Sequence, residues 1–116
     1  MPPVAPRLVS LEEDHPTVNV GLLRLDKALA SARFEKLKLL KLIHGYGSTG
    51  QGGRLREEVW KALDRYKRNN MVKEFIPGED FRISNEATWA LLKKWPELKQ
   101  DRDLGRNNKG ITMVVV

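Results

Sequence analysis

Cysteine is absent from this chain, and histidine is nearly so, with His15 and His44 its two copies. Without thiols there is no disulfide, no thiolate nucleophile and no Cys-based zinc site, and two imidazoles are too few for a histidine-rich metal centre. No structural metal is expected. Long apolar runs are missing too, and the opening Met1-Pro2-Pro3-Val4-Ala5-Pro6-Arg7 lacks the basic-then-apolar order of a signal peptide. A cytoplasmic protein with no membrane partner is the expectation. Acidic residues are outnumbered, 15 against 21 Lys and Arg, which gives a net charge of +6 and a pI near 9.8. Such a balance favours polyanionic partners, DNA or RNA first, through long-range steering and counterion release. The 116 residues suffice for one domain with a two-layer core and are too few for two.

Residues 1–16 hold four of the six prolines and the run Glu12-Glu13-Asp14 without sustained periodicity, the pattern of a flexible N-terminal arm or linker. The β-branched Thr17-Val18-Asn19-Val20 predicts a first strand, after which Leu25, Ala28, Leu29 and Ala32 recur at helical spacing. Residues 37–44 fit helix or strand by pattern. Their apolar density and the glycines behind them favour a buried strand ending at His44. Across residues 55–69, Leu55, Val59, Ala62, Leu63 and Tyr66 make one helical face, with Asn69-Asn70 as its stop. Residues 71–76, closed by Pro77-Gly78, and residues 111–116 read as the remaining strands. Between them Ser84 or Asn85 can cap a helix that runs to Trp95 before Pro96. Trp89, Leu92 and Trp95 share a side of it, which predicts docking on the sheet ahead of base stacking or a helix-to-helix dimer contact.

The densest chemical signal is the turn Leu42-Ile43-His44-Gly45-Tyr46-Gly47-Ser48-Thr49-Gly50-Gln51-Gly52-Gly53-Arg54-Leu55-Arg56. Glycines there let bare backbone N–H groups approach a ligand at a helix start, where the dipole favours anions, so the turn reads as a phosphate cradle. On the helix behind it Arg54, Lys61, Arg65 and Arg68 fall within a narrow arc, with Arg56 partly off it. Glu57, Glu58 and Asp64 dilute this stripe, and a solvated face with intrahelical ion pairs is the plain alternative. Gly45-x-Gly47-x-x-Gly50 also matches the dinucleotide fingerprint, but Gln51-Gly52-Gly53 prolongs the loop where that helix should open, and the next strand ends Phe75-Ile76-Pro77 without a ribose-binding acid. A Walker loop fails because no Gly-Lys-Ser/Thr follows.

Leu42-Ile43-His44-Gly45-Tyr46-Gly47, then Gly53-Arg54-Leu55-Arg56-Glu57-Glu58-Val59, then Gly110-Ile111-Thr112-Met113-Val114-Val115-Val116 resemble, in order, the three signatures of the small MutS-related (Smr) domain. These are a strand into His-Gly-x-Gly, Gly-x-Leu-Arg opening a helix, and a closing Gly-Ala/Val-Thr-x-Val strand. The resemblance implies an α/β (α+β) sandwich ordered β-α-β-α-β-(inserted α)-β, with a four-stranded mixed sheet and two main helices. It spans residues 17–116, with residues 80–106 set apart as an insertion. It also implies nucleic-acid binding and, in several members, endonuclease activity on DNA or RNA, with roles in recombination control or at stalled ribosomes. Aligned without gaps, Asn19 takes the place of an expected Asp and Gly21 that of a His or Arg, which leaves cleavage uncertain.

The site expected on these grounds comprises Gly45, Tyr46, Gly47, Ser48, Gly53, Arg54, Arg56, Lys61, Arg65 and Arg68 as nucleic-acid contacts, with His44 as general acid or base if cleavage occurs. No cofactor is expected, and Mg or Mn enters only if the domain is a nuclease. The alternative is a non-enzymatic module docking on a ribosome or DNA-repair protein through the helix that carries Trp89 and Trp95.

Overall fold

The structure, a computed structural model, describes residues 5–46 and 52–116. The chain runs β1 (Arg7–Ser10), α1 (Val18–Phe34), β2 (Leu39–Ile43), α2 (Gly52–Arg68), β3 (Glu74–Pro77), α3 (Glu86–Lys94) and β4 (Ile111–Val115), with short 3-10 turns at Gly78–Asp80 and Pro96–Gln100. The four strands form one sheet in the order β1-β2-β4-β3. β1 is parallel to β2, whereas β4 runs antiparallel to both β2 and β3. The mixed four-stranded sheet of the expected fold class is therefore present.

Both faces of that sheet are covered. Leu40, Leu42 and Val114 pack with Leu25, Leu29 and Ala32 of α1 and with Leu55, Val59, Ala62 and Leu63 of α2. On the other side Leu39, Met113, Val115 and Ile76 meet Phe81, Leu91, Leu92 and Leu98. Double burial explains why β2 and β4 read as dense apolar runs, broken only by Lys41 and Thr112, rather than alternating ones. It also gives α3 its place: the helix closes the face opposite α1 and α2, and so completes a third layer. Asn85 caps it by accepting from Thr88 N–H at 3.0 Å. The docked side is Thr88, Leu91 and Leu92, with Trp95 packed at the margin. Trp89 points outward, 44% exposed, so the expected Trp89-Leu92-Trp95 face is corrected by about one position around the helix.

The N-terminal segment departs most from its sequence reading. Thr17-Val18-Asn19-Val20 is not a strand. Thr17 caps α1, its Oγ1 accepting from Val20 N–H at 3.2 Å, and capping outweighs the weak β preference of two valines. The first strand comes instead from residues 7–10, inside the stretch taken as a flexible arm. Leu11 behind it is fully buried, with its N–H on the Ile43 carbonyl at 2.8 Å. β1 is an edge strand whose burial pattern is exposed, exposed, half-buried, exposed. No apolar alternation marks it, so pattern reasoning passes it by.

Helix ends follow local rules more faithfully. α2 stops where Asn70 takes φ 60° and Met71 and Asn70 donate back to Tyr66 and Lys67 at 2.8 and 3.1 Å, the closure that left-handed Asn permits. α1 ends in the same way at Lys36, φ 58°, with Leu37 on Ala32 and Lys36 on Arg33.

Candidate nucleic-acid interface

The C-terminal end of β2, the start of β4 and the N-terminal half of α2 converge at one end of the sheet. β2 delivers His44 to the same face as Leu40 and Leu42, beneath α2, where the residue is fully buried. Its backbone N–H and that of Gly45 both donate to the Gly110 carbonyl, at 2.9 and 3.1 Å. Gly45 then turns at φ 74°, a conformation that glycine adopts without Cβ strain. The expected cradle is thus pinned at its first residue to the strand that closes the sheet.

His44 is held by both ring nitrogens. Nδ1 lies 2.6 Å from the Gly45 carbonyl, which only accepts, so Nδ1 carries the proton. Nε2 is then free to accept from the Thr112 hydroxyl at 2.8 Å, and Thr112 Oγ1 in turn accepts from Trp60 Nε1–H at 3.0 Å. The chain Trp60 to Thr112 to His44 to Gly45 leaves none of these four groups unmatched. Burial pushes the imidazole down to about 4, with the Gly45 carbonyl opposing and the Arg56 charge assisting. The ring is neutral at ordinary pH and serves as a brace for the turn.

Above Trp60 stands Arg56, one helical turn earlier, its guanidinium 4.6 Å from the ring centroid. Its charged partner is Glu79, from the 3-10 turn after β3, at 3.6 Å. Of the other cations of the expected site, Arg54 before it on α2 and Lys61, Arg65 and Arg68 after it are all exposed. Lys61 pairs with Glu58 at 3.2 Å and Arg68 with Asp64 at 3.3 Å, the intrahelical pairs of the plain alternative. Such exposed pairs contribute little and open readily to a competing anion. Among the described residues Arg54 and Arg65 make no ion pair. Tyr46, at 55% exposure, lies next to the His-Gly turn, and Gly53 is half-buried in the first turn of α2. Gly47 and Ser48 lie outside the described residues.

Three site features were missed by sequence reading. Thr112 sits in the closing-strand signature, but only the register that sets it opposite Leu42 brings it under the neighbouring His44. Trp60 was legible as the residue four after Arg56, the spacing that stacks side chains on a helix. Glu79 carried no local signal. The two positions singled out in the opening segment move as well: Asn19 is exposed in the first turn of α1, and Gly21 is buried against Leu55 of α2. Neither ends a strand, so their identities say nothing about a first catalytic motif.

On the opposite face a second polar cluster steadies the same loop. Lys41, 4% exposed, binds Asp101 at 2.7 and 3.0 Å and Asp103 at 2.7 Å. Asp103 also accepts from Asn108 at 3.1 Å, and Asn108 accepts from Gly110 N–H at 3.0 Å. Gly110, which receives the His44 and Gly45 N–H groups, is thereby tied to both clusters. Among the described residues no group of three His, Asp or Glu side chains converges as metal ligands would. No helix among them is long and apolar enough to cross a membrane.

The chain is thus a mixed-sheet α/β domain with a His-Gly turn after β2 and a cation-rich helix α2, and its likeness to known proteins makes the class specific. The Smr domain family matches residues 16–93, and the chain belongs to that family, whose members are generally nucleic-acid binding or endonuclease-related. The matched stretch includes α3 as far as Lys93, which lies in the segment set apart above as an insertion. Among relatives, the chain is 41% identical over 63 residues to the endonuclease MutS2 of Thermus thermophilus, an alignment that takes in 54% of this chain and 8% of that protein. The crystal structure of the Smr domain of Thermus thermophilus MutS2 superposes with a TM-score of 0.57 at 28% identity, covering 94% of this chain and 95% of that one.

Proposed function

We propose that the domain binds DNA or RNA through backbone phosphates, with the turn at Gly45 and Tyr46 and the cations Arg54, Arg56, Lys61, Arg65 and Arg68 as the contact surface. The observation that carries this reading is the run of exposed cations Arg54, Lys61, Arg65 and Arg68 along α2, together with the half-buried Arg56 seated on the indole of Trp60, which is itself tied through Thr112 to His44. Phosphate contacts of this kind position a polymer without reading its bases. His44 acts in this reading as a positioning residue. Its Nδ1 proton belongs to the Gly45 carbonyl and its Nε2 lone pair to Thr112, so it shapes the turn and leaves charge neutralisation to the arginines and backbone N–H groups.

Binding of labelled single-stranded and duplex oligonucleotides across a salt series tests the proposal. Affinity for duplex should fall steeply with salt, with a log-log slope near 0.9 for each phosphate neutralised, and Arg54→Ala or Arg65→Ala should lower that slope by about one. A salt-independent affinity, or none at low salt, would sink it. A denaturing-gel cleavage assay with His44→Ala and Thr112→Val run in parallel addresses the endonuclease name of the relative: cleavage by the wild type that a folded His44→Ala loses outright, while Thr112→Val, which loosens the same brace, retains it, would return His44 to the reacting phosphate.

A second reading has its own observation. Ile83 and Trp89 are 59% and 44% exposed and flank a shallow depression with Ser84, Asn85 and Glu86. That patch is the contact surface of the interaction-module reading, in which a ribosomal or repair protein docks on α3. Such a contact would be largely insensitive to salt.

A further inference from the structure

The half-buried ion pair between Arg56 and Glu79, with side chains 21% and 29% exposed, is poorly made. Nη1 and Oε2 are 3.6 Å apart, beyond hydrogen-bond reach. Nε and Nη1 of Arg56 and Oε1 of Glu79 are shut off from solvent and have no hydrogen-bond partner among the described residues. The other cross-element pairs are closed, Lys41 to Asp103 at 2.7 Å and Lys67 to Glu74 at 2.8 Å. Enclosed charged groups without hydrogen bonds keep the cost of desolvation and recover only part of it by attraction.

The guanidinium and the backbone that carries Glu79 are each held in place. The guanidinium rests on Trp60, and Trp60 is fastened to Thr112. Glu79 follows Gly78, where a Cβ would come within 1.8 Å of the Asn108 carbonyl oxygen, so its backbone is wedged against the 101–110 loop. The carboxylate neutralises Arg56 without using the guanidinium's forked donors, which match two oxygens of a phosphate.

We propose that Glu79 is an internal competitor for the backbone phosphate of a nucleic acid: it screens Arg56 while the surface is empty and yields the guanidinium when a phosphate arrives. This inference rests on the phosphate-binding reading of α2. Its consequence is selectivity for polymers. A lone phosphate gains little by replacing one anion with another at Arg56, whereas a strand that also reaches Arg54 and Arg65 gains at each added contact.

The test is fluorescence anisotropy with labelled DNA and RNA oligonucleotides at low salt. The proteins are the wild type, Glu79→Gln, Arg56→Ala, the double variant, and Glu35→Gln, which lies with Arg7 at the far end of β1, as a remote acidic control, with melting curves to verify folding. Glu79→Gln should tighten binding several-fold, Arg56→Ala should weaken it, Glu35→Gln should leave it unchanged, and the gain from Glu79→Gln should vanish in the Arg56→Ala background. Should Glu79→Gln fold poorly, Glu79→Asp draws the carboxylate back by one methylene and should shift affinity the same way by less. An unchanged affinity in Glu79→Gln with a loss in Arg56→Ala overturns the competitor role and leaves phosphate binding standing. An equal gain with and without Arg56 reduces Glu79 to general charge repulsion and also overturns it. Absence of binding in every protein removes both readings together.

Discussion

Two buried polar clusters stand back to back across β2, and they hold the same loop by different physics. On the α2 face, Trp60, Thr112 and His44 form a neutral chain in which each donor has one acceptor. On the α3 face, Lys41, Asp101 and Asp103 form an ionic cluster with two carboxylates around one ammonium. The neutral chain depends on a ring staying uncharged, and the ionic one on three groups staying charged. They should therefore come apart under different conditions, although both end at Gly110.

The largest effect is expected on the ionic side. Lys41→Met removes the ammonium that bonds Asp101 and Asp103 and should destabilise the fold by about 3–5 kcal/mol, the usual cost of leaving a buried charge unpaired. Urea denaturation at neutral pH measures it, and a loss under 1 kcal/mol would mean that water or Arg102 takes over.

Acid should separate the clusters. Because burial holds His44 at about 4 against an ordinary 6.5, the unfolded chain binds the extra proton in that interval. The stability His44 contributes is thus complete above pH 6.5 and lost as pH falls toward 4, roughly 3 kcal/mol in all. Asp103 moves the other way: burial raises it, but hydrogen bonds from Lys41 and Asn108 and the charges of Lys41 and Arg102 outweigh that and hold it below its ordinary 3.8. Its contribution is present above that value and lost as pH falls through the depressed one. As pH falls from 6.5 to 4, then, the protection of the Gly45 amide relative to its intrinsic exchange rate should drop while amides around Asp103 keep theirs. A His44→Gln variant should lose this pH dependence, and parallel loosening of both regions would contradict the assignment.

Thr112→Val keeps the shape and strips the hydroxyl from the neutral chain, leaving Trp60 N–H and the His44 lone pair unpaired. A loss of about 1–3 kcal/mol is expected, read by thermal or chemical denaturation together with a shift of the indole N–H resonance. The smallest effect belongs to the exposed stripe. Lys61→Ala, which opens only the pair with Glu58, should change stability by less than about 0.5 kcal/mol while still reducing the salt slope of duplex binding by about one.

Legibility in the sequence followed the range of the forces involved. α2 was readable from its apolar spacing and its Asn69-Asn70 stop, and β2 and β4 from their apolar density, since periodicity and end closure are settled within a few residues. β1 was not, because an edge strand with one half-buried residue leaves almost no pattern. Thr17-Val18-Asn19-Val20 misled because a cap and a β-branched run share residue types. The turn at His44 was located from its glycines, but the brace beneath it needs Thr112 and Trp60, which lie 68 and 52 positions from their partners.

What the sequence by itself determined is the family, the helix bearing the cations and the place of the glycine turn, all consequences of neighbouring residues and of motifs a few positions long. Only the tertiary structure decided that His44 is neutral and occupied, that α3 closes the second face of the sheet, and that Arg56 faces a carboxylate it does not hydrogen-bond. Those properties depend on desolvation and on partners from other elements, and both exist only once the chain has packed.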